Sequence, residues 1–211
     1  MIRVALLFDP KNKWIEYYYP KFLNNFSNFE FQKVENVEEV SDFNIVFVLG
    51  YTKLLDEKFL NSNDYIYTVH ESDLPNGKGF APVQWQVLEG EKEIVVSLIK
   101  LSKHVDSGDI YAQTKLNLDG TELYDEIREK QAQATFNVIN KFLKNLPDVQ
   151  PSRQKGPSTF YPRRRPSDSQ LDLDKTLREQ FPLLRICNNE KWPAYFTLNG
   201  VKYILKIFKA D

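Results

Sequence analysis

Three short apolar runs in the first third of the chain constrain its fold more than any other feature: IRVALLF (residues 2–8), NIVFVL (44–49) and DYIYTV (64–69). The first ends at Asp9-Pro10 and the second at Gly50, and continuous apolar runs of this length read as strands buried on both faces. Between the second and third, LLDEKFL has the spacing of a short helix. Strand, short helix, strand is the grammar of an α/β unit with parallel strands. The predicted fold class is therefore α/β, a mostly parallel twisted sheet flanked by helices. Ligands in such sheets sit beyond the carboxyl ends of the strands, where His70 falls.

Further along, FEFQKV alternates at Phe29 and Phe31, Ala81 to Leu88 reads as helix, and IVVSLIKL (94–101) and residues 110–118 read as strands. From Thr121 to Leu143, the apolar positions Leu123, Ile127, Phe136, Ile139 and Leu143 recur at helical spacing, predicting the longest helix, packed on the sheet. Residues 145–170 are rich in Pro, Ser, Gly and Arg and read as a linker or binding loop. After them come a helical LDKTLREQFPLLRI and a β-hairpin, AYFTLNGVKYILKIF, turning at Asn199-Gly200. The predicted division is a core of residues 1–145 and an extension of residues 146–211 formed by linker loop, helix and hairpin. One face of that hairpin needs cover, from the core or from a second subunit, so a homodimer is a candidate assembly.

Composition narrows the function classes. With 28 Lys plus Arg against 29 Asp plus Glu, the net charge of −1 offers no global positive field for a nucleic-acid backbone. The 42% apolar and 14% aromatic fractions suit a packed globular protein. Cys187 is the only cysteine, so neither an intramolecular disulfide nor a cysteine metal site is expected. MIRVALLFDP lacks a signal-peptide layout and no run approaches the ~20 apolar residues a membrane span needs, so the expected setting is the cytoplasm.

Two segments, HESDLPNGKGFAPVQW (70–85) and HVDSGDIYAQ (104–113), resemble the formyltransferases that use 10-formyltetrahydrofolate. The family pattern is roughly N-x-H-x-S-x-L-P, a glycine-containing loop, then D-[TS]-G. His70, Ser72, Leu74 and Pro75 fall on the first motif and Asp106, Ser107 and Gly108 on the second, 36 residues from His70 to Asp106. The resemblance covers residues 1–145 and implies a Rossmann-like core. STFYPRRRPSDSQLD (158–172) is similar to the region after the core in members that formylate amino sugars on nucleotide carriers, and the chain looks most like the short enzymes of pseudaminic-acid-type glycan pathways. The resemblance implies 10-formyltetrahydrofolate as co-substrate, no metal, and a nucleotide-linked amino sugar as partner, with neither nucleic acid nor membrane.

Its site residues carry over position by position. His70 is the expected proton carrier and oxyanion stabiliser, Asp106 its electrostatic partner and proton acceptor through water, and Thr68, standing where the family has asparagine, an auxiliary hydroxyl donor. The folate contacts implied are Tyr51, Leu54, Ser107, Gly108 and Asp109, with Gly108 allowing backbone to approach the pteridine. Substrate contacts implied are Ser72, Pro75, Gly79, Tyr161 and Arg163. For Phe160, Tyr161 and Arg163 to Arg165, a solvated loop and a base-stacking, pyrophosphate-clamping cluster stay equally open. Trp85 reads as core rather than ligand-stacking, and His104 as exposed.

The favoured activity is formyl transfer to a UDP-linked 4-amino sugar. Initiator-tRNA formylation fits less well, because that class carries a larger basic C-terminal domain. Purine-pathway enzymes of the family carry a glycine-rich phosphate loop after the first strand, where this chain has FDPKNKW. A formyltetrahydrofolate hydrolase, or a folate-binding protein that does not transfer, is the alternative that Thr68 raises.

Overall fold

The computed structural model describes residues 1–24, 26–52 and 55–210. Ten strands and five α-helices follow one another along these residues: β1 (Ile2–Phe8), α1 (Tyr19–Phe22), β2 (Phe29–Val34), β3 (Ile45–Leu49), α2 (Glu57–Leu60), β4 (Ile66–His70), β5 (Lys78–Gly79), α3 (Pro82–Leu88), β6 (Glu93–Lys100), β7 (Ile110–Asn117), α4 (Tyr124–Lys144), β8 (Phe160–Tyr161), α5 (Leu177–Ile186), β9 (Ala194–Leu198) and β10 (Val201–Leu205). Six of the strands form the main sheet, in the order β2-β1-β3-β4-β6-β7.

The central strands are apolar along their whole length because both faces of the sheet are covered. Val4, Leu6 and Phe8 of β1 and Ile45, Phe47 and Leu49 of β3 join a core cluster with α4, while Ala5, Leu7, Val46 and Val48 join a second cluster with Val40 and Phe59 of α2. Side chains alternating across a strand thus feed two separate cores. Phe142 of α4 sits edge-on to Phe47 at 6.1 Å and packs on Tyr67 at 4.8 Å and Tyr111 at 5.9 Å, pinning the long helix over β3, β4 and β7.

β1 pairs in parallel with β2 and β3, and β3 with β4, as the strand-helix-strand pattern predicts. β6 and β7 run the other way, each antiparallel to its neighbour. Helix α3 begins at Pro82 rather than Ala81, whose φ of +50° lies outside the helical region.

The stretch predicted as linker or loop is tied down. Ser152 bridges Ile110 of β7, and Phe160–Tyr161 pairs in parallel with Lys78–Gly79, so β8 forms a second small sheet with β5. Beyond it, Thr176 and Glu179 cap α5 reciprocally, Glu179 accepting from the Thr176 backbone at 2.8 Å. The buried Arg185 guanidinium donates to the Glu122 carboxylate at 2.5 Å and to the Glu122 carbonyl at 2.9 Å, joining the end of α5 to the start of α4. In the hairpin of β9 and β10, Asn199 and Gly200 have φ of +51° and +78°, the left-handed pair of a type I′ turn. Ala194, Phe196 and Leu205 pack with Leu171, Leu184 and Cys187, whereas Leu198, Val201, Tyr203 and Ile204 are exposed. Among the described residues, no helix is long and apolar enough to cross a membrane.

Candidate active site

His70 is the last residue of β4 and is 6% exposed. Its Nδ1 lies 3.5 Å from Asp106 Oδ2, and its Nε2 lies 2.7 Å from the Gly77 carbonyl oxygen, so oxygen acceptors face both ring nitrogens and fix the plane of the imidazole. Bringing Asp106 to that position takes some folding. Because β6 runs against β4, pairing Ser97 with His70 and Lys100 with Tyr67, the turn after Lys100 must double back along β4. Asp106 adopts φ +49° within that turn, a conformation aspartate tolerates better than most residues.

Three contacts hold the turn. The Gly79 N–H donates to Asp106 Oδ2 at 2.8 Å, Lys78 Nζ donates to Ser107 Oγ at 3.0 Å, and the Gln154 side-chain amide donates to the carbonyls of both Asp106 and Gly108 at 2.8 Å. The loop between His70 and α3 is held by the same late segment: Gly77 N–H donates to Thr159 Oγ1 at 2.8 Å, and Phe80 N–H to the Tyr161 carbonyl at 3.1 Å. Both halves of the His70–Asp106 pair are thus anchored from residues 154–161.

The pair opens onto a cavity of about 380 Å³. One side is largely apolar, with Tyr51, Leu55, Leu60, Ile99 and Leu101. Burial, and then the Asp9 carboxylate, hold the Tyr51 phenol above its ordinary range. Asp9, at the end of β1, accepts from the Thr52 N–H at 3.0 Å and from the Thr52 hydroxyl at 2.6 Å, which fixes the backbone beyond β3. The opposite side is polar, formed by Glu71, Gln84, Arg128, Gln131 and Thr135. His104 lines the cavity from the exposed part of the turn.

Of the residues singled out in the sequence, His70, Asp106, Thr68, Tyr51 and Gly79 line this cavity. Thr68 departs from its expected donor role: its hydroxyl donates to the Val48 carbonyl at 2.8 Å, which commits its one proton within the sheet. Gly108 meets a steric demand within the protein: a Cβ there would stand 1.7 Å from the Lys100 carbonyl oxygen, so the glycine is required where the turn crosses β6. Ser107 and Asp109 serve the same turn, Ser107 through Lys78 and Asp109 by accepting from the Lys100 N–H at 3.0 Å. Ser72 and Pro75 are buried beneath the loop. Leu54 lies outside the described residues.

Tyr161 is engaged within the protein. Its ring stacks on Trp85 at 6.3 Å, its hydroxyl donates to Glu89 at 2.5 Å, and burial together with that carboxylate raises its phenol pKa. Arg163 lies over the exposed ring of Phe80 at 4.3 Å, and Phe80 itself lines the cavity, which puts Arg163 at the rim. Trp85, read as core, is half-buried and donates to the Pro162 carbonyl at 2.9 Å. The polar wall on α4 was missed in the sequence: Arg128, Gln131 and Thr135 stand three and four residues apart on one face, a spacing visible in EIREKQAQATF but masked by the apolar positions between them.

The family model described as formyl transferase matches residues 6–143, more than half of the chain. The chain belongs to the formyl transferase family and is an enzyme of formyl-group transfer. Among solved structures, methionyl-tRNA formyltransferase from Clostridium thermocellum is similar at 21% identity with a TM-score of 0.83, covering 100% of this chain and 94% of that one. A 4-N formyltransferase from Francisella tularensis is similar at 16% identity and TM-score 0.71, covering 100% and 98%. A sugar N-formyltransferase from Shewanella follows at 15% and 0.69, covering 98% and 97%. At these identities the likeness establishes the fold.

Proposed function

We propose that this enzyme transfers the formyl group of 10-formyltetrahydrofolate to the amino group of a nucleotide-linked amino-deoxysugar, with a UDP-linked 4-amino sugar of a pseudaminic-acid-type pathway as the favoured acceptor. The observation that carries this reading is the His70–Asp106 pair, 3.5 Å apart and facing a cavity of about 380 Å³. That cavity is of the size that holds a small ligand. Its apolar side, Tyr51, Leu55, Leu60, Ile99 and Leu101, suits a flat pterin head, and its polar side suits an amino sugar.

Formyl transfer requires a neutral amine at the formyl carbon, a donor for the oxygen that becomes anionic, and a place for the proton the amine loses. A ring N–H of His70 supplies the donor once the anionic oxygen displaces the neutral Gly77 carbonyl as its acceptor, and Asp106 holds the ring in position and takes the amine proton through water. The amine nitrogen bonds to the formyl carbon, the tetrahedral intermediate then breaks its bond to the folate nitrogen, and the proton taken from the amine passes to that leaving nitrogen, so no side chain of the enzyme needs to be acylated. In this reading residues 1–145 are the catalytic core, and residues 146–211 an extension whose Arg163 lies at the rim where a nucleotide carrier would leave the cavity.

A second reading is favoured by one observation. With the Thr68 proton committed to Val48, the family's asparagine amide has no direct replacement at that position, which keeps open a hydrolase that releases formate to water. Formate measured with and without an amino-sugar acceptor separates the two: release that does not depend on the acceptor supports the hydrolase, and a formylated sugar detected by mass supports the transferase.

A further inference from the structure

The inward face of α4 is where a sheet-covering helix normally presents apolar side chains. Arg128, Gln131 and Thr135 occupy that face at the cavity, Arg128 half-buried and the other two buried, in a helix whose buried positions also include Ile127, Phe136 and Ile139. A guanidinium placed there loses part of its hydration, and a charge so placed ordinarily finds a counter-charge. Arg128 has neutral partners instead. Its Nε donates to the Tyr124 hydroxyl at 3.1 Å and one terminal nitrogen to Gln131 Oε1 at 2.9 Å, while the other donates to Gln84 at 3.2 Å in the amide orientation that satisfies both ends of Gln84. Among the described residues, no carboxylate forms an ion pair with it.

The guanidinium is nonetheless held firmly. The Trp14 ring lies 4.5 Å from it and the Tyr124 ring 5.2 Å, so two aromatic groups fix its plane. The carboxylate that could have reached the cluster, Glu71, is bonded to the Gln131 amide at 2.7 Å. Beside it, Thr135 also lines the cavity, is 3% exposed, and carries a buried hydroxyl with no partner. Arginine has five N–H donors, and three have partners here. A fixed, positively charged fork with two donors free, next to an unsatisfied hydroxyl, matches the geometry of an oxyanion bound through two oxygens.

We propose that Arg128, with Gln131 and Thr135, forms an acceptor subsite that recognises an anionic group, carboxylate or phosphate, on the molecule to be formylated. This rests on the reading of the cavity as the site of formyl transfer. It makes Arg128 a residue that sets acceptor choice, distinct from the His70–Asp106 pair and from Arg163 at the rim.

Isothermal titration of the full chain with inorganic pyrophosphate and, separately, with malonate tests it. The wild type is expected to bind at least one of the two. Arg128→Gln is expected to weaken that binding at least tenfold, and Arg128→Lys, which keeps the charge without the fork, to fall between. Thr135→Val, close to isosteric, is expected to weaken it as well, with unchanged circular dichroism as the control for folding. Binding of pyrophosphate alone assigns a phosphoryl group, and binding of malonate alone a carboxylate. Equal affinities in wild type and Arg128→Gln, or no binding of either anion by the wild type, overturn the proposal. Anion binding that depends on Arg128, in an enzyme that formylates no sugar, leaves this subsite standing and removes the sugar reading.

Discussion

At the scale of single residues, two side chains 36 positions apart in sequence meet at 3.5 Å, and the proposed chemistry depends on their staying there. Asp106→Asn keeps the size and the tolerance for φ +49° but removes the charge. It and His70→Ala are each expected to lower kcat by ~10²–10⁴, the range for a lost acid–base group, with thermal unfolding showing a folded protein. Near wild-type turnover in either variant would remove that residue from the chemistry. Thr68 is expected to behave differently, because its hydroxyl serves the sheet. Thr68→Val should cost ~0.5–1.5 kcal/mol in urea unfolding, as for one lost hydrogen bond, and change kcat less than ~10-fold. A loss of kcat well beyond that would show that the hydroxyl turns toward the substrate during the reaction.

At the scale of elements, β1, β3 and β4 were legible in the sequence because a strand buried on both faces leaves an uninterrupted apolar run. The longest helix was legible from its period, and the hairpin from Asn199-Gly200. The direction of β6 was not, since it depends on how the connection from β4 packs in three dimensions, which local pattern does not encode. Nor were β5 and β8, two residues each and below any periodicity. The site divides along the same line. His70 and Asp106 stood out because a fixed motif carries them, whereas Arg128 lies in a helix whose stripe reads as ordinary packing. Gly108 stood out through the same motif, whereas the steric demand it meets against Lys100 shows only in the fold. Gly108→Ala would push a methyl to 1.7 Å from the Lys100 carbonyl, so it is expected to destabilise by at least ~2–3 kcal/mol and to displace Asp106. Unfolding and turnover should therefore fall together, and full activity with native stability would mean the turn crosses β6 with room to spare.

At the scale of the whole molecule, the late segment is part of the site rather than a tail. Gln154, Thr159 and Tyr161 hold the catalytic turn and loop, and Arg185 binds Glu122 at the start of α4. Burial pushes the Glu122 carboxyl up, but Lys130 and the backbone N–H groups of Asp119 and Gly120 outweigh it and hold it below the usual carboxylate range. A carboxyl whose folded pKa is lowered contributes stability above its unfolded value and loses it as pH falls through the folded one. Stability should thus decline as pH drops below about 4.3, the ordinary glutamate value. Glu122→Gln should flatten part of that decline while destabilising by ~3–5 kcal/mol at neutral pH, because Arg185 is left buried without its partner. Unfolding midpoints from pH 3 to 7 check both, and an unchanged acid limb would mean other carboxyls carry it.

The reading of the whole enzyme is most directly tested by turnover with 10-formyltetrahydrofolate and a panel of UDP- and dTDP-linked amino-deoxysugars, following formylated product and free formate by mass. The proposed function predicts one formylated sugar, with both transfer and product lost in His70→Ala. Formate released at the same rate with and without every sugar, and no formylated product, would contradict it.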